Sequence, residues 1–255
     1  MTDLARSEAR AFLERPAGLP RPCRVVAAIP ENYRTRTIVL DTALEARPGQ
    51  FCMLWLPGLD EKPFSVQSAA PAAFTIAAVG PFSRAVHRLA AGDRIWLRGP
   101  FGRPFRRTGR DHLLVGGGYG VAPMLFLARE ARARGERVRA VVGAREARDL
   151  LLADALREAG AELWLTTEDG SAGLPGRVTD AIAPMLAEDP PDSLYACGPH
   201  PMLAALARLA AARGLPAQLS WEAYMRCGIG ICGSCEQEGM LLCTDGPVLD
   251  QPASV

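Results

Sequence analysis

The hydrophobic rhythm of the chain changes near its middle. Between residues 21 and 105 apolar positions come in short runs or alternate with polar ones: CRVVAAI (23–29), RTIVLD (36–41), QFCMLWLP (50–57), FSVQSA (64–69), AFTIAAV (73–79) and DRIWLRG (93–99). Pro, Gly or Asn clusters bound most of these runs, as turns between strands require. Six strands at this spacing predict an antiparallel β-barrel, interrupted by one helical pattern, SRAVHRLAAG, from Ser83. After residue 110 the period alternates. HLLVGG, RVRAVVGA, AELWLTT, SLYACG and PAQLSWE read as strands, and VAPMLFLAREARARG, ARDLLLADALREAG, VTDAIAPMLA and HPMLAALARLAAARG read as helices between them. Such alternation predicts a doubly wound parallel sheet. The change falls at the polar stretch RRTGRD (106–111). The organisation expected is a charged arm over 1–20, a β-barrel over 21–108, an α/β domain over 109–220 and a small cysteine-bearing segment over 221–255.

Composition removes several functions. The 29 Lys and Arg balance 28 Asp and Glu, so no excess charge invites nucleic acid or an anionic membrane. No apolar run reaches the roughly eighteen residues of a membrane span. The opening MTDLARSEARAFLERP is charged throughout and lacks a signal-peptide core, which points to the cytoplasm. There the seven cysteines, an odd number, are expected to be reduced, metal-bound or catalytic. Cys23 and Cys52 fall in strand patterns and read as small buried apolar residues.

Three glycine-rich loops follow predicted strands. LLVGGGYGVAP (113–123) ends one strand and opens a helix, so its backbone N–H groups can face a phosphate without an intervening Cβ. It is not G-x-G-x-x-G, because Val121 holds the last position, and a tight strand–helix turn is the alternative reading of the loop alone. TTEDGSAG (166–173) and ACGPHPM (196–202) end two more strands on the same predicted sheet edge. Ligands of open parallel sheets bind at that edge, so the three loops together point to a nucleotide crevice. Arg145 and Arg148 follow another strand and could meet a 2′-phosphate. His87, His112 and His200 read as structural or solvated, with His200 the best placed for a site.

Cys227, Cys232, Cys235 and Cys243 give C-x4-C-x2-C-x7-C. The first three match the plant-type spacing for a [2Fe–2S] cluster. A structural zinc site more often pairs two C-x2-C knuckles, so the spacing favours the cluster over zinc without closing that alternative.

GGGYGVAPM, TEDGSAG, YACGPHPML and EAYMRCGIGICGSC, in this order, resemble the ferredoxin–NADP reductase superfamily, and within it the electron-transfer subunits of class 1B dihydroorotate dehydrogenase. RPGQF (47–51), KPFSV (62–66) and VGPFSRAVHRLAAGDRIWLRGPFGRPF resemble that family's flavin barrel. The resemblance covers about residues 23–250 and implies FAD on the barrel, NAD(H) on the α/β domain and a [2Fe–2S] cluster on the last segment.

Residue by residue, it implies that Ser65 lies by the flavin N5 edge, with Pro63 and Phe64 shaping the isoalloxazine bed. Lys62 stands where the family has Arg and offers a point charge instead of a planar fork. Val79, Gly80, Phe82 and Ser83 lie in a stretch resembling the flavin pyrophosphate site, although Ser83 alone also reads as a helix cap. Gly116, Gly117, Gly118 and Gly120 are implied at the pyrophosphate of the nicotinamide dinucleotide, with Thr166, Glu168 and Asp169 near that nucleotide. Cys197, Gly198 and Pro199 are implied near nicotinamide and flavin; Cys197 by itself reads as a buried structural cysteine. Cys227, Cys232, Cys235 and Cys243 are implied as the metal ligands, and no acid–base residue is needed for hydride transfer. The seven residues between Cys235 and Cys243 are fewer than the family's usual gap, so a trimmed hairpin and a more exposed cluster are expected. The implied partner is a flavin-bearing dihydroorotate dehydrogenase catalytic subunit in a heterotetramer of two and two, with electrons passing from it to NAD+.

Overall fold

The computed structural model describes residues 19–251. Residues 1–18 of the expected N-terminal arm lie outside the described residues. The first half is antiparallel: β1 (Arg21–Asn32), β2 (Thr35–Leu40), β3 (Phe51–Leu56), β4 (Asp60–Ser65), β5 (Ser68–Ala69), β6 (Ala72–Ala77) and β7 (Arg94–Phe101), in the order β4-β3-β7-β1-β2-β6-β5. β1 makes the corner. Its first residues pair with β7, and from Val25 it pairs with β2, with a register shift between Val25 and Ala27. A strand that changes partner at a bulge lets one sheet fold over on itself. Cys23, Ile38, Leu40, Cys52, Leu54, Phe74, Ile76, Ile95 and Leu97 fill the space enclosed. Cys23 and Cys52 are thus buried, as read from their strand patterns.

Seven strands stand where six runs were expected: FSVQSA is divided between the end of β4, DEKPFS, whose polar start conceals it from a hydrophobicity pattern, and a two-residue β5. The helix expected from Ser83 begins earlier, as α1 (Pro81–Val86). Pro81 takes the first helical position, where its missing N–H costs nothing. Ser83 therefore lies inside the first turn instead of opening it. Its Oγ accepts the N–H groups of Val79 at 2.9 Å and Gly80 at 3.0 Å.

The second half holds β8 (Asp111–Gly117), α2 (Val121–Ala133), β9 (Arg137–Ala144), α3 (Ala153–Glu158), β10 (Glu162–Thr167), β11 (Leu174–Pro175), α4 (Val178–Glu188), β12 (Ser193–Cys197), α5 (His200–Ala211) and β13 (Ala217–Ser220). The sheet order is β11-β10-β9-β8-β12-β13-β16, where β16 is Val248–Gln251. From β8 the chain winds outward through β9 and β10, then returns to the other side of β8 for β12 and β13. The switch point is the β8–β12 boundary. β16 pairs antiparallel with β13, so residues 248–251, expected with the cysteine segment, belong to this sheet.

One expected helix is broken. Residues 147–160 form a 3-10 turn at Ala147–Asp149, then α3. Between them Leu151 and Leu152 turn into the core, and Leu152 adopts φ +55. The apolar spacing suited a helix, but the adjacent Leu151 and Leu152 are both buried, with Leu150 partly so, and the helix is interrupted where they turn inward. The two halves share side chains: Phe126 of α2 packs in the antiparallel core.

The cysteine segment covers the outer face of β3 and β7. Phe51, Met53, Met225, Cys235, Leu242 and Cys243 form its own small core. β3 is thereby buried on both faces.

Candidate functional site

The two glycine loops flanking the switch point press together. A Cβ on Gly120 would collide with the Cys197 carbonyl, and one on Gly117 would lie 2.7 Å from the Met202 sulfur and 2.9 Å from Pro199. Gly116 packs on Val121. Gly118 differs: it has φ +55, and nothing occupies the space where its Cβ would be. The four predicted glycines therefore divide. Gly117 and Gly118 line a cleft, whereas Gly116 and Gly120 are small so that β8, α2 and β12 can approach.

The cleft measures about 540 Å³ and runs between the halves. Arg34, Thr35, Ala77 and Val79 form its wall on the antiparallel side, and Thr166, Glu168, Gly198 and Pro199 line it opposite. Val79 is 70% exposed, an apolar side chain without cover. Thr166 is buried, and its Oγ1 has no hydrogen-bond partner. A buried hydroxyl left unpartnered at a cleft wall is a polar group awaiting a ligand atom. With the bare Gly118 backbone and the switch-point position, it fits a dinucleotide.

Other predicted residues lie beside the cleft wall. Cys197 is buried, and lost hydration pushes its thiol up to about 12. Asp169 bonds Ser171 through the Oγ–H at 2.6 Å and the N–H at 3.0 Å, which holds its carboxyl below the usual range. Phe64 stacks on Phe82 with ring centroids 6.0 Å apart, and both pack on the antiparallel core. Pro63 and Ser65 lie on the opposite face of β4 from Phe64, by strand alternation. Lys62 is turned toward the cysteine segment: its Nζ is 2.8 Å from Asp60 and 5.4 Å from the Tyr224 ring centre.

Several cleft residues were missed by the sequence reading. Glu222 and Tyr119 both line the cleft, and the loss of water there raises the Glu222 carboxyl above its ordinary range. Tyr33 donates from its hydroxyl to Asp149 at 2.9 Å, and Arg34 pairs with the same carboxylate at 3.0 Å; Arg34 and Asp149 line the cleft. These contacts span more than a hundred residues of sequence, which local patterns do not register. Arg148 is taken up by Glu146 at 2.7 Å, while Arg145 lines the cleft. The histidines are structural: His87 bonds the Ile76 carbonyl, and His112 sits between Ser193 and Glu136. His200 bonds the Glu222 carbonyl at 2.9 Å.

The four thiols group as two pairs. The Cys232 N–H donates to Cys227 Sγ at 3.5 Å, and the Cys243 N–H to Cys235 Sγ at 3.4 Å. Gly230 N–H joins the pairs by donating to Cys243 Sγ at 3.2 Å. Ile229 and Ile231 also donate to Cys227 Sγ. Among the described residues no three His, Cys, Asp or Glu side chains converge as a single-metal site requires. Two thiol pairs with N–H groups turned toward sulfur fit a two-iron cluster better than one zinc ion. The short gap still holds a hairpin, β14 (Glu236–Gln237) and β15 (Met240–Leu241). Its two-residue turn, Glu238 at φ +51 and Gly239 at φ +81, has the positive φ pair of a type I′ turn. Cys235 and Cys243 are buried beneath it, and Cys232 is exposed.

An antiparallel half, a switch-point nucleotide cleft and a four-thiol loop define an oxidoreductase of the ferredoxin-reductase type, with NAD(H), FAD and an iron–sulfur cluster as cofactors. The family model for the oxidoreductase NAD-binding domain matches residues 114–208, and that for the iron–sulfur cluster binding domain of dihydroorotate dehydrogenase B matches residues 222–252. The chain is 40% identical to a probable dihydroorotate dehydrogenase B (NAD(+)) electron transfer subunit of Methanocaldococcus jannaschii, covering 90% of this chain and 89% of that one. It is 42% identical to the protein of that name from Methanothermobacter thermautotrophicus, covering 90% and 88%. A chain of the NADH-dependent reduced ferredoxin-NADP oxidoreductase, solved for its flavin-based electron bifurcation, superposes with a TM-score of 0.81 at 29% identity, covering 90% and 88%. The chain belongs to the family of dihydroorotate dehydrogenase B electron transfer subunits. No helix among the described residues is long and apolar enough to cross a membrane.

Proposed function

We propose that the chain carries electrons from a flavin-bearing dihydroorotate dehydrogenase catalytic subunit to NAD+, in the cytoplasm, within a heterotetramer of two subunits of each kind. The observation that carries this reading is the double burial of β3. One face of β3 packs in the antiparallel core and the other lies under the cysteine segment, so the proposed flavin and cluster sites would share this strand. When bound, FAD exchanges hydride with the nicotinamide and single electrons with the cluster.

The chain's own residues bind and orient. Thr166 Oγ1 and the Gly117–Gly118 backbone would hold the nicotinamide dinucleotide, with Glu168 at its ribose side. Gly198 and Pro199 would direct the nicotinamide toward Pro63, Ser65, Val79 and Gly80, the proposed flavin bed. Phe64 and Phe82 support that bed from the core. Ser83, through its bonds to the Val79 and Gly80 N–H groups, fixes the backbone of this stretch. Cys227, Cys232, Cys235 and Cys243 would ligate the cluster.

The purified chain should contain FAD and about two irons. Cys232→Ala should lose the iron and still reduce its flavin with NADH. Colourless protein holding zinc would overturn the proposal. A second reading, the same module serving a ferredoxin-linked partner, is favoured by the likeness to the ferredoxin-NADP oxidoreductase chain. Orotate formation by the chain co-purified with its catalytic subunit separates the two.

A further inference from the structure

Arg98 is a buried cation outside the cleft. Ile95 and Leu97 of β7 point into the antiparallel core, and strand alternation turns Trp96 and Arg98 to the other face. That face is covered by the cysteine segment, and Arg98 is left only 8% exposed. Its guanidinium meets both carboxylate oxygens of Glu61, Nε to Oε1 and Nη2 to Oε2, each at 2.6 Å. The remaining donors reach the cysteine loop: Nη1 to the Cys227 carbonyl at 2.5 Å and Nη2 to the Arg226 carbonyl at 3.3 Å. Glu61 lies on β4, the strand that also carries Pro63 and Ser65. One side chain thus joins the backbone of the first cluster cysteine to the strand of the proposed flavin bed. Gly228 completes the seat: its φ is +72, and a Cβ there would lie 3.2 Å from Met53 and 3.3 Å from Phe101.

A nearly buried charge is costly to assemble, and hydrophobic residues of similar volume often hold such a contact as firmly. The charge therefore calls for another role. A cation bonded to the carbonyl of a ligand favours the form of the cluster that carries one more electron, while the Glu61 carboxylate behind it opposes that form. We propose that Arg98 is a positioning residue for electron transfer: it seats the Cys227 loop on β4 and, poised against Glu61, sets how readily the cluster accepts an electron. This rests on the cluster assignment made above.

The opposed charges provide a test that loop seating alone would not satisfy. Native protein, Arg98→Met, Glu61→Gln and the double variant are purified anaerobically with their catalytic partner. Iron and flavin are counted, and the cluster is titrated with dithionite while its paramagnetic signal is followed. Arg98→Met should make the one-electron reduction of the cluster less favourable by about tenfold, and Glu61→Gln should make it more favourable by several-fold. The double variant should lie between them. Arg98→Lys keeps the charge but loses the fork, so its equilibrium should stay near native while its paramagnetic line shape changes. Shifts of the same sign in both single variants, or none, would overturn the proposal. If Arg98→Met does not fold, Glu61→Gln decides by the same sign. Native protein without iron would instead sink the cluster assignment and leave this inference without its subject.

Discussion

Replacing Phe126 by Ala should weaken both halves of the molecule, although the residue lies in a helix of only one. Phe126 is 8% exposed and packs among the antiparallel core residues. A phenylalanine buries at least about 150 Å², and at about 25 cal/mol per Å² its transfer contributes close to 4 kcal/mol. Alanine retains part of that, and the cavity left behind adds to the loss. The expected cost is about 3–4 kcal/mol, within the usual range for a core Phe→Ala change. Phe126→Leu should cost about 1 kcal/mol, because most of the volume remains. The assay is urea unfolding at fixed flavin content, followed by two signals. Helical circular dichroism reports the α/β half, and the near-ultraviolet signal of the Trp55–Trp96 pair, with centroids 5.8 Å apart, reports the antiparallel half when read in a Trp164→Phe, Trp221→Phe background. Native protein should lose both signals together. Phe126→Ala should move both midpoints and separate them, because a side chain that α2 places in the antiparallel core is gone. A control, Phe74→Ala, should lower the antiparallel signal first, since Phe74 packs within that core alone. A cost below about 1 kcal/mol for Phe126→Ala, or a change confined to the helical signal, would refute a shared core.

Other outcomes follow from single contacts. Gly120→Ala drives a Cβ onto the Cys197 backbone, which cannot yield, so it should cost about 3 kcal/mol in urea unfolding. Gly118→Ala meets open space and should cost only about 1 kcal/mol for its positive φ, while weakening NADH binding measured by calorimetry. The Asp192 carboxylate accepts the N–H groups of Arg110 at 2.6 Å and Asp111 at 2.9 Å, which lowers its pKa. Its stabilisation is present above the unfolded value of about 3.9 and is lost as pH falls through the lower folded value. Asp192→Asn should therefore be less stable than native at neutral pH, by under about 1 kcal/mol because the site is exposed, and equal to it in strong acid. The Glu222 carboxyl is raised by desolvation, so it becomes an anion only above its ordinary range. NAD+ carries a cationic nicotinamide, and its affinity should rise with pH through that value; Glu222→Gln should flatten the profile, and an unchanged profile would place Glu222 away from the nicotinamide.

The α/β half was legible because buried parallel strands are continuous apolar runs and their helices are amphipathic. RVRAVVGA coincides with β9 (Arg137–Ala144), and the loops that end β8, β10 and β12 do meet along one sheet edge. The failures share one cause, which is a local pattern satisfied by something distant. DEKPFS looks like a polar loop because an edge strand needs only one apolar face. VLDQ joins β13 antiparallel, through a pairing set after the whole cysteine segment has been passed. LLLAD fits helix spacing, yet the core takes up Leu151 and Leu152 and the helix starts only at Ala153.

The cluster region shows the same limit more sharply. The cysteine spacing pointed to the cluster domain that the family model matches, because four thiols within seventeen residues are a compact pattern. It carried no sign of Arg98, which lies 129 residues before Cys227 and reads in sequence as one more arginine on the solvent side of a strand. In β7 Arg98 lies on the face away from Ile95 and Leu97, which fill the antiparallel core. What the pattern lacked was the cover: the cysteine segment turns that outer face into an interior, and a surface arginine into a buried cation. Phe51 and Met53 hold the usable clue, since they are apolar at alternate positions where Cys52 and Leu54 already face the core. A strand apolar on both faces needs a second layer, and QFCMLW states that need before the layer is known. Any charge that alternation sends to the same face, as with Arg98, must then be paired where it is buried.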